Sequence, residues 1–182
     1  MHRIMVTVIV LGGLLCGGCS VKMTAYSPSI LMEGNGKVKV GNFMYDPIGN
    51  NIIKSNQIDT GSGFNPIYAE MDIKDYVSDA VAKELKYIGY KLDQKSIKVV
   101  SGNIQKWECD YFGLFYVDVL ARIEFIVTSE SNGENKELYR KVHEGKFRAN
   151  KLTVTEITAV VNEGLRNCIK SFIIDAQRED AL

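Results

Sequence analysis

Few side chains in this sequence have both the chemistry and the spacing to carry out a reaction. Of its 2 His, one sits among the first residues. The other, His143, falls in a charged stretch from Arg140 to Lys146, where it reads as a solvated strand residue lacking the partners of a general base. A zinc site would have to be built mostly from carboxylates, which is uncommon, so no metal and no cofactor is expected. No Gly-x-Ser-x-Gly, Walker or dinucleotide phrase occurs, and Gly61-Ser62-Gly63 is loop punctuation. Glu108, Asp110 and Asp118 are close enough in sequence to supply an acid and a base for hydrolysis. Nothing around them argues for the burial that would part their pKa values. They read as carboxylates flanking a turn, and no catalytic residue is expected.

Two thiols and a knot of aromatic residues are further candidates. Cys109 and Cys168 would close a long loop if bridged, contributing about 4 kcal/mol in the chain-entropy account, and an oxidising compartment would permit the bond. Against it, Cys168 falls on the apolar stripe of a helix, where a free thiol serves as a small buried hydrophobe. Trp107, Tyr111, Phe112, Phe115 and Tyr116 crowd around an expected turn at Asp110 to Gly113. A turn has no room to bury them all, and exposed aromatics are what a protein or lipid contact uses. Trp107, Tyr111, Phe112 and Phe115 are therefore candidate partner-contact residues, with core packing as the alternative.

The other two thiols stand near the start of the chain. Met1 to Gly18 reads as a short n-region with His2 and Arg3, an apolar run from Ile4 to Leu15, and the small pair Gly17-Gly18. The run is well short of the roughly 20 residues that cross a bilayer as a helix, so an export signal is expected rather than a spanning anchor. Leu15-Cys16-Gly17-Gly18 followed by Cys19 resembles the lipobox of bacterial lipoproteins, with Cys16 standing where that pattern has an aliphatic residue. The resemblance implies cleavage before Cys19 and its modification by diacylglycerol and palmitate; Ser20 behind it implies sorting to the outer membrane. Cys16 as the acceptor would put bulky Leu15 where a small side chain belongs. Two or more acyl chains hold a protein stably on a membrane, each buried methylene contributing about 0.8 kcal/mol.

Around these residues the chain has an ordinary globular make-up. Its 22 Lys and Arg balance 22 Asp and Glu, which supplies no basic field for nucleic acid and no acidic field for a basic partner. A length of 182 residues with 46% hydrophobic side chains fits about one domain. The expected division is a signal peptide over 1–18, a lipidated N-terminus and tether over 19–36, and a single α/β domain over 37–182.

Periodicity supplies the elements. Lys37 to Tyr45 alternates as a strand, and Asp46 to Pro66 reads as a long Gly/Asn/Ser-rich loop, mobile or functional. Ile73, Tyr76, Val77, Ala80, Val81, Leu85 and Ile88 recur at helical spacing before the stop at Gly89. Ile97 to Cys109 reads as a strand with a bulge expected at Gly102. Leu114 to Thr128 alternates with Val117, Val119, Ala121, Ile123, Phe125 and Val127 on one face, and a turn at Ser131-Asn132-Gly133-Glu134 leads to a fourth strand, Lys136 to Arg148. Thr153-Val154-Thr155-Glu156 opens a second helix with a capping box. The fold class is thus α+β: a two-layer sandwich in the order strand, helix, three antiparallel strands, helix, with both helices on one face of a four-stranded sheet.

The lipobox at Cys19, the first strand, Asp75-Tyr76-Val77 through Leu85-Lys86-Tyr87-Ile88-Gly89-Tyr90, and Ser101-Gly102-Asn103-Ile104 before a long aliphatic strand resemble the YajG-like group of bacterial outer-membrane lipoproteins. More distantly they resemble LptE-like and transporter-associated auxiliary lipoproteins. The resemblance implies a non-enzymatic protein on the periplasmic face of the outer membrane, held by its lipid and docking to an envelope protein partner in biogenesis or transport. The alternative expectation is a periplasmic carrier of a lipid or other apolar ligand between helices and sheet.

Overall fold

The computed structural model describes residues 21–50, 53–61, 66–112, 116–131, 134–150 and 153–182. Its strands are β1 (Val21–Lys22), β2 (Lys37–Tyr45), β3 (Gln57–Ile58), β4 (Ile67–Tyr68), β5 (Lys91–Leu92), β6 (Lys98–Phe112), β7 (Tyr116–Ser131) and β8 (Glu134–Asn150); its helices are α1 (Ile73–Tyr87) and α2 (Val154–Arg178). The strands form a main sheet in the order β5-β2-β6-β7-β8 and a small sheet in the order β1-β4-β3. The α+β class is as expected, but the main sheet has five strands, not four. Lys91–Leu92 adds beside β2, and the pairs β2–β5 and β2–β6 are parallel. Two-residue strands are too short to show a period of two, which is why β1, β3, β4 and β5 were illegible.

β6, β7 and β8 form the expected antiparallel meander. Its inward face presents Val100, Ile104, Trp107, Cys109, Val119, Ile123, Phe125 and Val127, and α2 covers it with Val161, Leu165, Ile169, Phe172 and Ile173. The Phe125 and Phe172 rings stack with centroids 4.2 Å apart. The bulge expected at Gly102 falls instead between Ile104 and Lys106. It switches the inward parity of β6 from even to odd residues, so that Trp107 and Cys109 turn in while Glu108 and Asp110 turn out. Gly102 serves a different need, since a Cβ there would lie 2.3 Å from the Glu124 carbonyl oxygen.

Helix α2 begins as the sequence indicates. The Thr153 hydroxyl accepts from the Glu156 amide at 3.4 Å, and the Glu156 carboxylate accepts from the Thr153 amide at 2.6 Å. Thr153→Ala removes half of this reciprocal pair and is expected to lower stability by about 1 kcal/mol. A urea midpoint indistinguishable from wild type would refute that contribution.

The stretch 21–36, expected as a tether, is part of the domain. Val21, Met23, Tyr26 and Ile30 are buried in the common core, and the chain lies as a strap in the groove between α1 and α2. The expected loop 46–66 is also partly built in. Asp46–Asn50 is a 3-10 helix, β3 pairs with β4, and Asp59 bridges to Glu108 of β6.

Candidate functional site

A densely connected, fully buried carboxylate lies under the strap. Glu84 stands on the apolar stripe of α1, four residues after Ala80 and three after Val81, and its side chain is 0% exposed. It accepts the Tyr26 hydroxyl at 2.6 Å, the Ser29 amide at 3.2 Å and the Ile30 amide at 3.1 Å. Arg166 of α2 brings its Nε to 3.8 Å from the same carboxylate and donates through Nη2 to the Ser27 carbonyl at 2.9 Å. Burial, then the Glu84 carboxylate, push the Tyr26 hydroxyl pKa well above its usual value. A buried carboxylate is tolerable only when its oxygens are so filled.

Further contacts extend the hold along the whole strap. The Tyr76 hydroxyl oxygen lies 2.7 Å from both the Thr24 carbonyl and Asn162 Oδ1, to one of which it donates its single proton. Lys83 donates to the Tyr26 carbonyl at 3.3 Å. Gln177 donates to the Glu33 carbonyl at 3.1 Å, and the Gly34 amide donates to the Ile88 carbonyl at 2.7 Å. The strap therefore runs from the first turn of α1 and the third turn of α2 to the C-terminal ends of both helices. The sequence held one signal for it, a glutamate in the middle of an apolar stripe.

A second polar cluster surrounds His143, which is buried rather than solvated. The correction has a structural cause: a register shift opposite Val127 and Thr128 places Tyr139, His143 and Gly145 on the inward face of an otherwise charged strand. His143 Nε2 hydrogen-bonds the Tyr139 hydroxyl, and Nδ1 lies 3.1 Å from Ser171 Oγ. Tyr139 also donates to Asp175 at 3.0 Å, and Lys141 donates to the same oxygen at 2.9 Å. A serine, a histidine and an aspartate are thus neighbours, but Asp175 contacts the imidazole only at 4.0 Å and on the nitrogen already bonded to Tyr139. The hydroxyl stands where a triad would need the carboxylate. The arrangement fastens α2 to β8.

Burial lowers the His143 pKa from its ordinary value of 6.5, outweighing the upward pull of Asp175, while Lys141 adds to the lowering. The unfolded chain binds that proton more readily, so the contribution to stability is full above about pH 6.5 and is lost as pH falls below it. Urea titrations of wild type and His143→Gln between pH 5 and 7.5 should show the wild-type slope to be steeper, by at most about 1.4 kcal/mol per pH unit. Equal slopes would refute this.

The residues singled out from sequence do not converge. Trp107 is 1% exposed and packs against Tyr76 with centroids 5.8 Å apart, so it belongs to the core and presents no partner contact. Phe115 and Cys19 lie outside the described residues, as do the side chains of Tyr111 and Phe112. Cys109 and Cys168 are both buried and are not bridged to each other. Burial pushes the Cys168 thiol up to about 12, and its Sγ contacts the His143 carbonyl at 3.2 Å. Glu108, Asp110 and Asp118 do come together, on the outer face of the sheet beside a shallow groove of about 400 Å³. Asp118 is held bidentately by Arg148 at 2.5 and 2.6 Å, and Glu108 pairs with Lys106 at 2.6 Å. Asp118–Arg148 is a rung in a cross-strand ladder of charge that continues through Arg122–Glu144 and Arg140–Glu124. Among the described residues no group of His, Cys, Asp and Glu is arranged to hold a metal, and no helix is long and apolar enough to cross a membrane.

No family model matches the chain, and no curated protein matches it. Solved structures do share its fold. Protein XCC0632 from Xanthomonas campestris, described by the family model DUF330, superposes with a TM-score of 0.65 at 11% identity over 88% of this chain and 98% of that one. An uncharacterized protein gives 0.56 at 10% identity over 86% and 98%. The hypothetical protein CT253 from Chlamydia trachomatis gives 0.53 at 9% identity over 81% and 98%. At such identities the likeness is one of fold.

Proposed function

We propose that this protein is a lipid-anchored component of the bacterial envelope that acts by binding, not by catalysis, from the periplasmic face of the outer membrane. The assignment to a YajG-like lipoprotein group is part of this proposal. One observation carries it: Cys19 follows Leu15-Cys16-Gly17-Gly18, and the described fold, which includes contacts of Val21, lies entirely past it, so cleavage before Cys19 removes none of that fold. The short apolar run before Leu15-Cys16-Gly17-Gly18-Cys19 supports the same reading. The polar clusters at Glu84 and His143 support a binding role, because both are consumed in fastening the fold. An envelope protein is the expected partner, and its identity is best sought by crosslinking in intact cells.

The test is Cys19→Ala expressed in a diderm host. Loss of palmitate incorporation together with departure from the outer-membrane fraction is expected; retention of both overturns the reading. The carrier alternative has less support, because the described space between helices and sheet is filled by Trp107, Phe125, Phe172 and their neighbours. Native mass spectrometry after mild extraction separates the two, a bound lipid favouring the carrier and a stoichiometric protein the binding module.

A further inference from the structure

We propose that the domain stands directly on the lipid bilayer with one fixed end against it, the end formed by the small β1-β4-β3 sheet, the N-terminal turns of both helices and the β6–β7 hairpin. This rests on acylation of Cys19. The geometry follows from how early the strap is fixed. The Val21 amide donates to the Pro66 carbonyl at 3.2 Å, the Met23 amide donates to the Tyr68 carbonyl at 2.7 Å, and Val21 pairs in register with Ile67. Two residues span at most about 7 Å, so acyl chains on Cys19 would bring the headgroup layer to the edge of the small sheet.

That sheet is itself seated at one end of the molecule. β4 pairs with β3, and the Asp59 amide that follows β3 donates to the Trp107 carbonyl at 3.1 Å, in the C-terminal half of β6. The opposite end carries β5 and Lys98, where β6 begins. Lys98 and Trp107 are nine residues apart in β6, at about 3.3 Å each, so Lys98 lies roughly 30 Å from the level of the small sheet.

The described surface at the near end suits a headgroup layer. Lys54 lies 5.4 Å from the centre of the Tyr68 ring, and Arg148 lies 4.3 Å from that of Tyr116; Lys22 is exposed, and Met71 is 45% exposed. Cation-and-tyrosine pairs place an apolar body and a polar tip side by side, as the interfacial region requires. Glu70 and Asp72 lie close to Met71 in the chain, so the end carries both signs of charge. The contact therefore depends on acyl chains and amphipathic side chains rather than on attraction to anionic lipid, and salt should leave it unchanged.

The experiment uses the full-length protein, with acylation of Cys19 first established by mass, in phosphatidylethanolamine–phosphatidylglycerol vesicles containing a headgroup-region quencher. Fluorescent probes are attached singly through Met71→Cys or Lys98→Cys. Strong quenching at position 71 and none at 98 is expected, at low and at high salt. Inserting twelve Gly/Ser residues between Ser20 and Val21 should abolish the difference while the protein stays on the vesicles. Equal quenching at both positions without the insertion, on an acylated protein, overturns this inference and leaves the lipoprotein reading standing. An unacylated Cys19 overturns both.

Discussion

Glu84→Ala should destabilise the domain by about 3–5 kcal/mol, the scale for removing one member of a buried, hydrogen-bonded charge cluster. The truncation leaves the Tyr26 hydroxyl and the Ser29 and Ile30 amides without their acceptor, and it leaves Arg166 with Glu163 alone as counter-charge. In a chain of this size each kcal/mol moves the melting temperature by about 2–4 °C, so a fall on the order of 10 °C is expected. Tyr26→Phe removes one hydrogen bond to a charged acceptor and should cost about 1.5–3 kcal/mol. Amide exchange at Ser29 and Ile30 should accelerate in Glu84→Ala more than exchange in β7 does, because the strap loosens before the sheet. A variant within 1 kcal/mol of wild type would refute the role assigned to Glu84.

The second large effect belongs to the crossing of α2 over β8. Gly145 faces Gly164 there, and a Cβ on Gly145 would lie 2.1 Å from the Gly164 carbonyl oxygen and 2.2 Å from the Cys168 amide nitrogen. Both obstacles are backbone, so Gly145→Ala can be accommodated only by lifting α2 from the sheet. The loss should reach about 3 kcal/mol, the upper part of the range for overpacking. Gly164→Ala is a milder case. Its Cβ meets Val119 Cγ1 at 2.4 Å, a side chain that can yield, and the gain in helix propensity over glycine returns about 1 kcal/mol. Denaturant midpoints that rank Gly164→Ala as the more damaging change would contradict this account of the crossing.

The parts of the fold that were legible are those whose burial is periodic. β7 lies between two strands with one face covered and the other charged, so its alternation is unbroken, and the stripes of α1 and α2 follow the helical repeat. β8 was recognisable as a strand, but its inward face was not. It is an edge strand whose charged residues guard an open row of backbone groups, and its bulge shifts the parity that would have pointed to His143. The strap could not be read from its own residues, because a segment lying between two helices is buried at irregular intervals, and Glu84 in the stripe of α1 was its one sign. The position of Trp107 was lost to the displaced bulge in β6: the aromatic cluster was visible as composition, and the direction of each ring was not.

The strap also bears on the order of events when the chain is made. Its partners are distant in sequence: Tyr26 meets Glu84, Thr24 meets Asn162, and Glu33 meets Gln177, 144 residues later. The contacts with Asn162 and Gln177 cannot close until the last helix has been synthesised. Residues 21–36 therefore find their full seat last, and on the export route proposed above they stay open to processing until then.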